Sequence, residues 1–139
     1  MTNPPPPPLG AAFWSVTFRA KGVWNCVISV ALFFGDDSLR QWTHAAPADP
    51  GYRVMFLALA FVFGIGYWRV GQSLTRHRDT VRGGVLGQIA VFLVAAYEVL
   101  IAARLPWAFL VPGVVDLIFA ILFAVFLWTT ARDGPTPDP

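Results

Sequence analysis

Two apolar stretches, Gly83 to Ala103 and Trp107 to Thr130, are separated only by Arg104, Leu105 and Pro106, and this spacing constrains the chain more than any other feature. As a helix, each stretch is long enough to cross a bilayer core of about 30 Å at about 1.5 Å per residue. Pro106 has no N–H to give to a helix interior, so it belongs in a break or a first turn. So short a connection forces an antiparallel transmembrane hairpin.

The rest of the chain fits the same medium. With 139 residues, 56% of them hydrophobic and only 13% charged, it lies far from soluble proteins, in which about a quarter of residues are charged. The expected fold class is an all-α membrane protein, a four-transmembrane-helix antiparallel bundle. The formal charge of +2 comes from basic residues that sit almost wholly outside the apolar stretches. That placement points to membrane orientation and headgroup contact, and away from nucleic acid. The single cysteine, Cys26, rules out an internal disulfide or a CxxC motif and reads as a small apolar helical residue. His44 and His77 both fall in loops, so no imidazole pair could hold a haem between spans. No cofactor and no metal site are expected.

Read in order, the chain opens with Pro4 to Pro8 and no basic residue, neither a signal-peptide start nor a helix. Residues 1–16 are expected to form a disordered, Pro-rich tail; a ligand for a peptide-binding domain is the sharper alternative. The four-helix domain is expected over 17–131, with spans at about 17–35, 52–70, 83–103 and 107–130, and 132–139 as a short polar tail. In the first span, Arg19 and Lys21 lie near one end, from which long basic side chains can snorkel to headgroups. That span should act as an uncleaved signal anchor. Asp36 to Gly51, with three aspartates and two prolines, reads as a polar loop, in which Ser38 to Trp42 could form a short interfacial turn. Ala60 and Gly64, and again Gly83 and Gly87, have the small-xxx-small spacing that lets transmembrane helices approach closely.

Charge orients the four spans. If the basic loop between spans two and three is cytoplasmic, then so are both termini. The inside then holds Arg19, Lys21, Arg69, Arg76, Arg78, Arg82 and Arg132, seven of the ten basic residues. The positive-inside rule favours that arrangement. It also places Trp14, Trp68 and Trp128 at one interfacial belt and Trp42 and Trp107 at the other. Arg76, Arg78 and Arg82 could grip anionic lipid headgroups, or could serve topology alone.

Two intramembrane carboxylates are the most informative residues. Glu98 stands eight positions before Pro106 and Asp116 ten after it, so a tight hairpin brings them to nearly one depth. Asn25 and Gly64 reach a similar level, with Tyr97 and Ser29 close by if these residues face inward. The expectation is an outward-opening polar pocket of Asn25, Tyr97, Glu98 and Asp116. An ionised carboxylate near mid-span costs about 2.5 to 3.5 kcal/mol, so it is usually paired, protonated or wet. With no Lys or Arg expected in that layer, at least one of the two should be protonated at neutral pH. Such a carboxyl could relay a proton or bind a cationic or hydroxylated ligand. The plainer alternative is that Asp116 bonds to Asn25 or a backbone carbonyl and locks the bundle, while Glu98 reaches toward Arg104. Gln88 reads as glue between helices.

The chain has no GxSxG and no GxxxxGK[ST], and no soluble portion that could fold around a catalytic site, so no catalytic residue is assigned. The segments GIGYW (Gly64 to Trp68), RH (Arg76, His77), GVLGQ (Gly84 to Gln88), LPWAF (Leu105 to Phe109) and DLIFAILF (Asp116 to Phe123) give the chain a likeness to known proteins. Over about residues 22 to 128 it resembles small bacterial four-span membrane proteins of a broad DoxX-like type. In those relatives a lysine often stands where Gln88 stands here. The resemblance implies a four-helix protein of the bacterial inner membrane, and it supplies no catalytic residue. The function expected from sequence is therefore a binding or accessory component of a membrane complex, with the lipid bilayer, a membrane protein or a second copy of itself as partner. A small oligomeric transporter or proton-coupled carrier using Glu98 and Asp116 is the alternative, and a membrane enzyme on a lipophilic substrate the third.

Overall fold

The structure, a computed structural model, describes residues 10–44, 49–74 and 76–131. It is all helical: α1 (Gly10–Thr43), α2 (Pro50–Gln72), α3 (Arg78–Ala96, continued by a π-turn Tyr97–Ile101) and α4 (Leu110–Ala131, preceded by a 3₁₀ turn Trp107–Phe109). Among the described residues four helices are long and apolar enough to cross a bilayer, over Gly10–Gly35, Pro50–Gln72, Arg78–Ile101 and Trp107–Thr130. The protein is thus an integral membrane four-helix bundle. Large apolar side chains such as Phe34, Leu86 and Ile101 stand outward from it, as a hydrocarbon surround requires.

Helix α1 is longer at both ends than the sequence reading expects. It begins at Gly10, because Gly10 to Val16 is an apolar run with no breaker once the prolines are passed; of the expected 1–16 tail, only 1–9 lie outside the described residues. It also runs through Asp36 and Arg40 to Thr43, where a polar loop is expected. Neither aspartate breaks a helix, Asp37 accepts a bond from Arg40 one turn on at 3.3 Å, and Leu39 and Trp42 continue the apolar stripe. Residues 45–48, 75 and 132–139 also lie outside the description. Helix α2 opens on a cap, Asp49 Oδ1 accepting from the backbone N–H of Gly51 at 2.9 Å and Tyr52 at 3.1 Å, with Pro50 in the first turn.

The helices pair as two hairpins, α1 with α2 and α3 with α4, and between the hairpins the backbones approach less closely, nearest at α2 and α3. Within the first hairpin, contact depends on Gly64 and on a glycine the sequence reading passed over, Gly22. A Cβ on Gly22 would stand 2.7 Å from the Gly64 carbonyl oxygen, and one on Gly64 would stand 2.7 Å from Cys26 Sγ and 2.9 Å from the Gly22 oxygen. With no hydrophobic drive between helices in lipid, such backbone contact is the main source of adhesion. Gly83 and Gly87, expected to pack helices, instead face outward with nothing near them; the buried glycine of that stretch is Gly84, one position on, which lies against the Tyr67 ring. Ala60 is partly buried on α2.

Between the hairpins the adhesion comes from aromatic rings. Phe18 of α1 stacks on Phe123 of α4 at 4.3 Å and meets Phe126 edge-on at 5.1 Å, while Tyr67 of α2 packs on Phe123 at 5.1 Å. With Val70 and Val81 these rings form a dry core. The core sits toward the end of the bundle that carries both termini.

Candidate functional site

One polar side chain from each helix converges just beyond that aromatic core. Lys21 of α1 is fully buried and donates from Nζ to Asp116 Oδ1 of α4, forming an ion pair near the middle of both spans. Its ammonium also lies over the Phe119 ring, 5.3 Å from the centroid. Gln88 of α3 donates from Nε2 to Tyr67 Oη of α2 at 2.9 Å, and both residues are buried. The Tyr67 hydroxyl in turn lies within electrostatic range of Asp116.

This geometry replaces the expected layer. Lys21 does not snorkel to an interface, because α1 begins at Gly10 and leaves Lys21 eleven residues, about 16 Å, inside the span. The intramembrane aspartate therefore has a cation beside it where none was expected, and no shared proton with Glu98 is needed to neutralise it. Either charge alone would cost about 2.5 to 3.5 kcal/mol near mid-span, so pairing offsets most of two penalties. Glu98 takes a separate partner: Arg104 donates to its Oε1 at 2.6 Å, as the plainer sequence alternative has it. Arg104 also covers the half-exposed Tyr97 ring at 5.9 Å from its centroid. Glu98, Tyr97 and Arg104 thus form a clasp at the α3–α4 turn. Asn25 lies beside Gly64 in the α1–α2 seam. Ser29 is buried with its hydroxyl unpartnered, and Gln88 Oε1 is likewise unpartnered.

The α3–α4 turn has a physical explanation. The N–H groups of Arg104 and Leu105 both donate to the Glu98 carbonyl, at 2.9 and 3.3 Å, and that of Ala102 to Tyr97 at 2.8 Å, wide bonds that end the helix in a π-turn. Closing the turn puts Ala103 in the left-handed region at φ 50°.

Toward the opposite end from the termini, α1 and α4 enclose a cleft of about 310 Å³ lined by residues that include Trp24, Trp42, Trp107 and Phe109. Its lining is entirely apolar, and none of Asn25, Tyr97, Glu98 or Asp116 contributes to it, in contrast to the polar pocket expected there. On the other side, Arg78 does not stand free for headgroups. It lies in the first turn of α3, where the sequence reading expects a loop, and donates to the carbonyls of Thr130 at 3.3 Å and Leu127 at 3.4 Å, capping the end of α4. Arg82 pairs with Asp79 at 2.9 Å on the surface.

The sequence reading places none of Lys21, Tyr67 and Gln88 in a polar site. A count of depth from the true start of α1 would have found Lys21. Chemically, the cluster offers a buried ammonium–carboxylate pair next to a phenol–amide pair. Among the described residues no group of three or more His, Cys, Asp or Glu could hold a metal ion. No family model, curated protein or solved structure matches this chain.

Proposed function

We propose that this protein is a non-catalytic binding or accessory component of a membrane complex, its polar interior serving to fix the mutual placement of two helical hairpins. The observation that carries the reading is that both intramembrane carboxylates are held by internal cations, Asp116 by Lys21 and Glu98 by Arg104. Lys21 is buried and Arg104 exposed at the α3–α4 turn, and a carboxylate that already has such a cation partner is a lock first and a proton carrier only if that bond is broken. The broad apolar exterior is then available to lipid, to a partner's helices or to a second copy. The excess of basic residues at the end carrying the termini supports a bacterial cytoplasmic membrane with both termini inside. The DoxX-like resemblance supports the same setting.

The test is reconstitution beside in-membrane crosslinking. Vesicles containing the protein should dissipate a proton gradient no faster than empty ones, and photoreactive residues at exposed Leu86 and Ile101 should capture one defined membrane protein or a second copy. Gradient-driven flux that Asp116→Asn abolishes, with the fold intact, would replace this reading with the second, a small oligomeric proton-coupled carrier. That second reading is favoured by one observation, the placement of an ionisable pair at mid-span, where such groups commonly mark proton paths.

A further inference from the structure

The basic residues of the helices differ in what holds them. Lys21, Arg40, Arg82 and Arg104 each bond a carboxylate, and Arg78 caps α4. Arg19 and Arg69 are exposed and have no carboxylate partner among the described residues. Both lie on the outside of the first hairpin, at the end that carries the termini, one on each of its two helices.

Between those helices runs a shallow groove of about 210 Å³, lined by Gly22, Val23, Cys26, Val27, Ile65 and Trp68 with no polar surface. The groove exists because Gly22 draws α1 and α2 together without filling the seam between them. Helical register fixes what stands at its mouth. Arg19 is four residues before Val23 and Arg69 four after Ile65, so each wall of the groove ends, one turn toward the terminal side, in an arginine. The Arg19 guanidinium lies over the Trp68 ring, 5.6 Å from the centroid, which holds it at the groove's rim. Its level in the bilayer is set too: Ser15 Oγ donates to the Gly71 carbonyl at 2.6 Å, and the Arg19 stem packs against Gly71. Arg19 is therefore level with the last turn of α2, the terminal-side end of that span, from which its long side chain reaches toward the headgroups.

We propose that this groove binds one anionic phospholipid of the leaflet on the terminal side. Arg19 and Arg69 clasp its phosphate, and an acyl chain lies along the seam over Gly22 and Cys26. The chemistry follows from the two parts. A guanidinium pair presents fork geometry to phosphate oxygens, and a neutral lipid such as phosphatidylcholine brings its own cation to the same place and gains less. The lining offers a hydrocarbon chain nothing polar to avoid. This differs from a grip by the basic turn, where Arg78 and Arg82 are already engaged and the exposed Arg76 lines no part of the groove.

The experiment is native mass spectrometry of the purified full-length protein in detergent, offered equal amounts of phosphatidylglycerol and phosphatidylcholine with identical chains. The wild type should retain phosphatidylglycerol preferentially. Preference should fall roughly fivefold for each arginine in Arg19→Gln and Arg69→Gln, fall less in Arg19→Lys/Arg69→Lys, which keeps the charge but loses the fork, and remain unchanged in Arg76→Gln/Arg82→Gln. Val23→Phe, at a half-exposed position on the groove wall, should reduce retention of both lipids. Soluble glycerol phosphate should not displace the bound lipid. Arg19→Gln keeps the methylene stem that packs on Gly71, and Arg69 is exposed, so the single Arg69 variant gives a reading that does not depend on folding. The proposal is overturned if Arg69→Gln and Arg19→Gln leave the preference intact, if only the Arg76/Arg82 variant loses it, or if glycerol phosphate competes as well as the lipid does.

Discussion

Lys21 and Asp116 stand ninety-five residues apart in the chain and form one ion pair inside the membrane, joining the first hairpin to the second. Lys21 is fully buried and the Asp116 side chain is only 17% exposed, so neither charge has bulk water to fall back on. Removing one partner strands the other. Lys21→Met or Asp116→Asn should each cost about 3 to 5 kcal/mol of stability, measured by reversible unfolding in mixed detergent micelles. Lys21→Met with Asp116→Leu should recover most of that loss, because an apolar pair has no desolvation to repay. Equal and additive losses in the double variant would show that the two side chains do not act on each other.

A second prediction separates glycines that look alike in sequence. Gly22→Ala places a Cβ 2.7 Å from a backbone oxygen of Gly64, which cannot swing aside, so α1 and α2 must part. The cost expected for such overpacking is about 1 to 3 kcal/mol. Gly83→Ala meets nothing within 4 Å on the exposed face of α3 and should be neutral or stabilise by up to about 1 kcal/mol through helix propensity. Thermal melts of the two variants in one detergent decide the matter.

Much of the fold was legible because a membrane span is a property of composition over about twenty residues, and this chain supplies four such windows. The Glu98–Arg104 contact was legible for a similar reason: six residues across a tight turn leave the two side chains few other places to go. Lys21–Asp116 was not, since its legibility depended on where α1 begins. A start near Thr17 puts Lys21 one turn from an interface, and a start at Gly10 puts it at mid-span. The same seven residues decide between a snorkelling lysine and a buried one. Gly83 and Gly87 failed differently: small-xxx-small spacing names a face that permits close approach, and a neighbour must still be there to approach. Gly84, at the adjacent position, points at Tyr67, and a shift of one residue turns a helix face by about 100°.

The turn between the hairpin's two spans predicts a stabilising change. Ala103 holds φ at 50°, a conformation that costs an L-residue with a Cβ roughly 1 to 2 kcal/mol and costs glycine little. Ala103→Gly should therefore stabilise the protein by about 1 kcal/mol, the gain being reduced by the greater freedom of glycine in the unfolded chain. Because Arg104 N–H and Leu105 N–H stay on the Glu98 carbonyl, the Glu98–Arg104 clasp should survive. A raised melting temperature in detergent is the expected outcome, and a lowered one would mean that the turn does not adopt this geometry in the membrane.

The last prediction concerns the phenol–amide pair. Tyr67→Phe keeps the ring against Phe123 but removes the oxygen that Gln88 Nε2 donates to at 2.9 Å. Interhelical hydrogen bonds of this kind contribute about 0.6 kcal/mol on average in membranes, up to about 1.7, so a loss in that range is expected. The loss arises from a stranded amide, since the ring packing is unchanged. Adding Gln88→Leu to Tyr67→Phe should then restore stability. Gly84→Ala should cost more than either, because its Cβ would press on the ring itself, 2.8 Å from Cε1, as well as on the hydroxyl at 2.7 Å. Unfolding of the three variants in mixed micelles orders these costs. A Tyr67→Phe variant as stable as the wild type would mean that the Gln88 amide finds another acceptor, and that Tyr67 is held by the packing of its ring on Phe123 and Gly84.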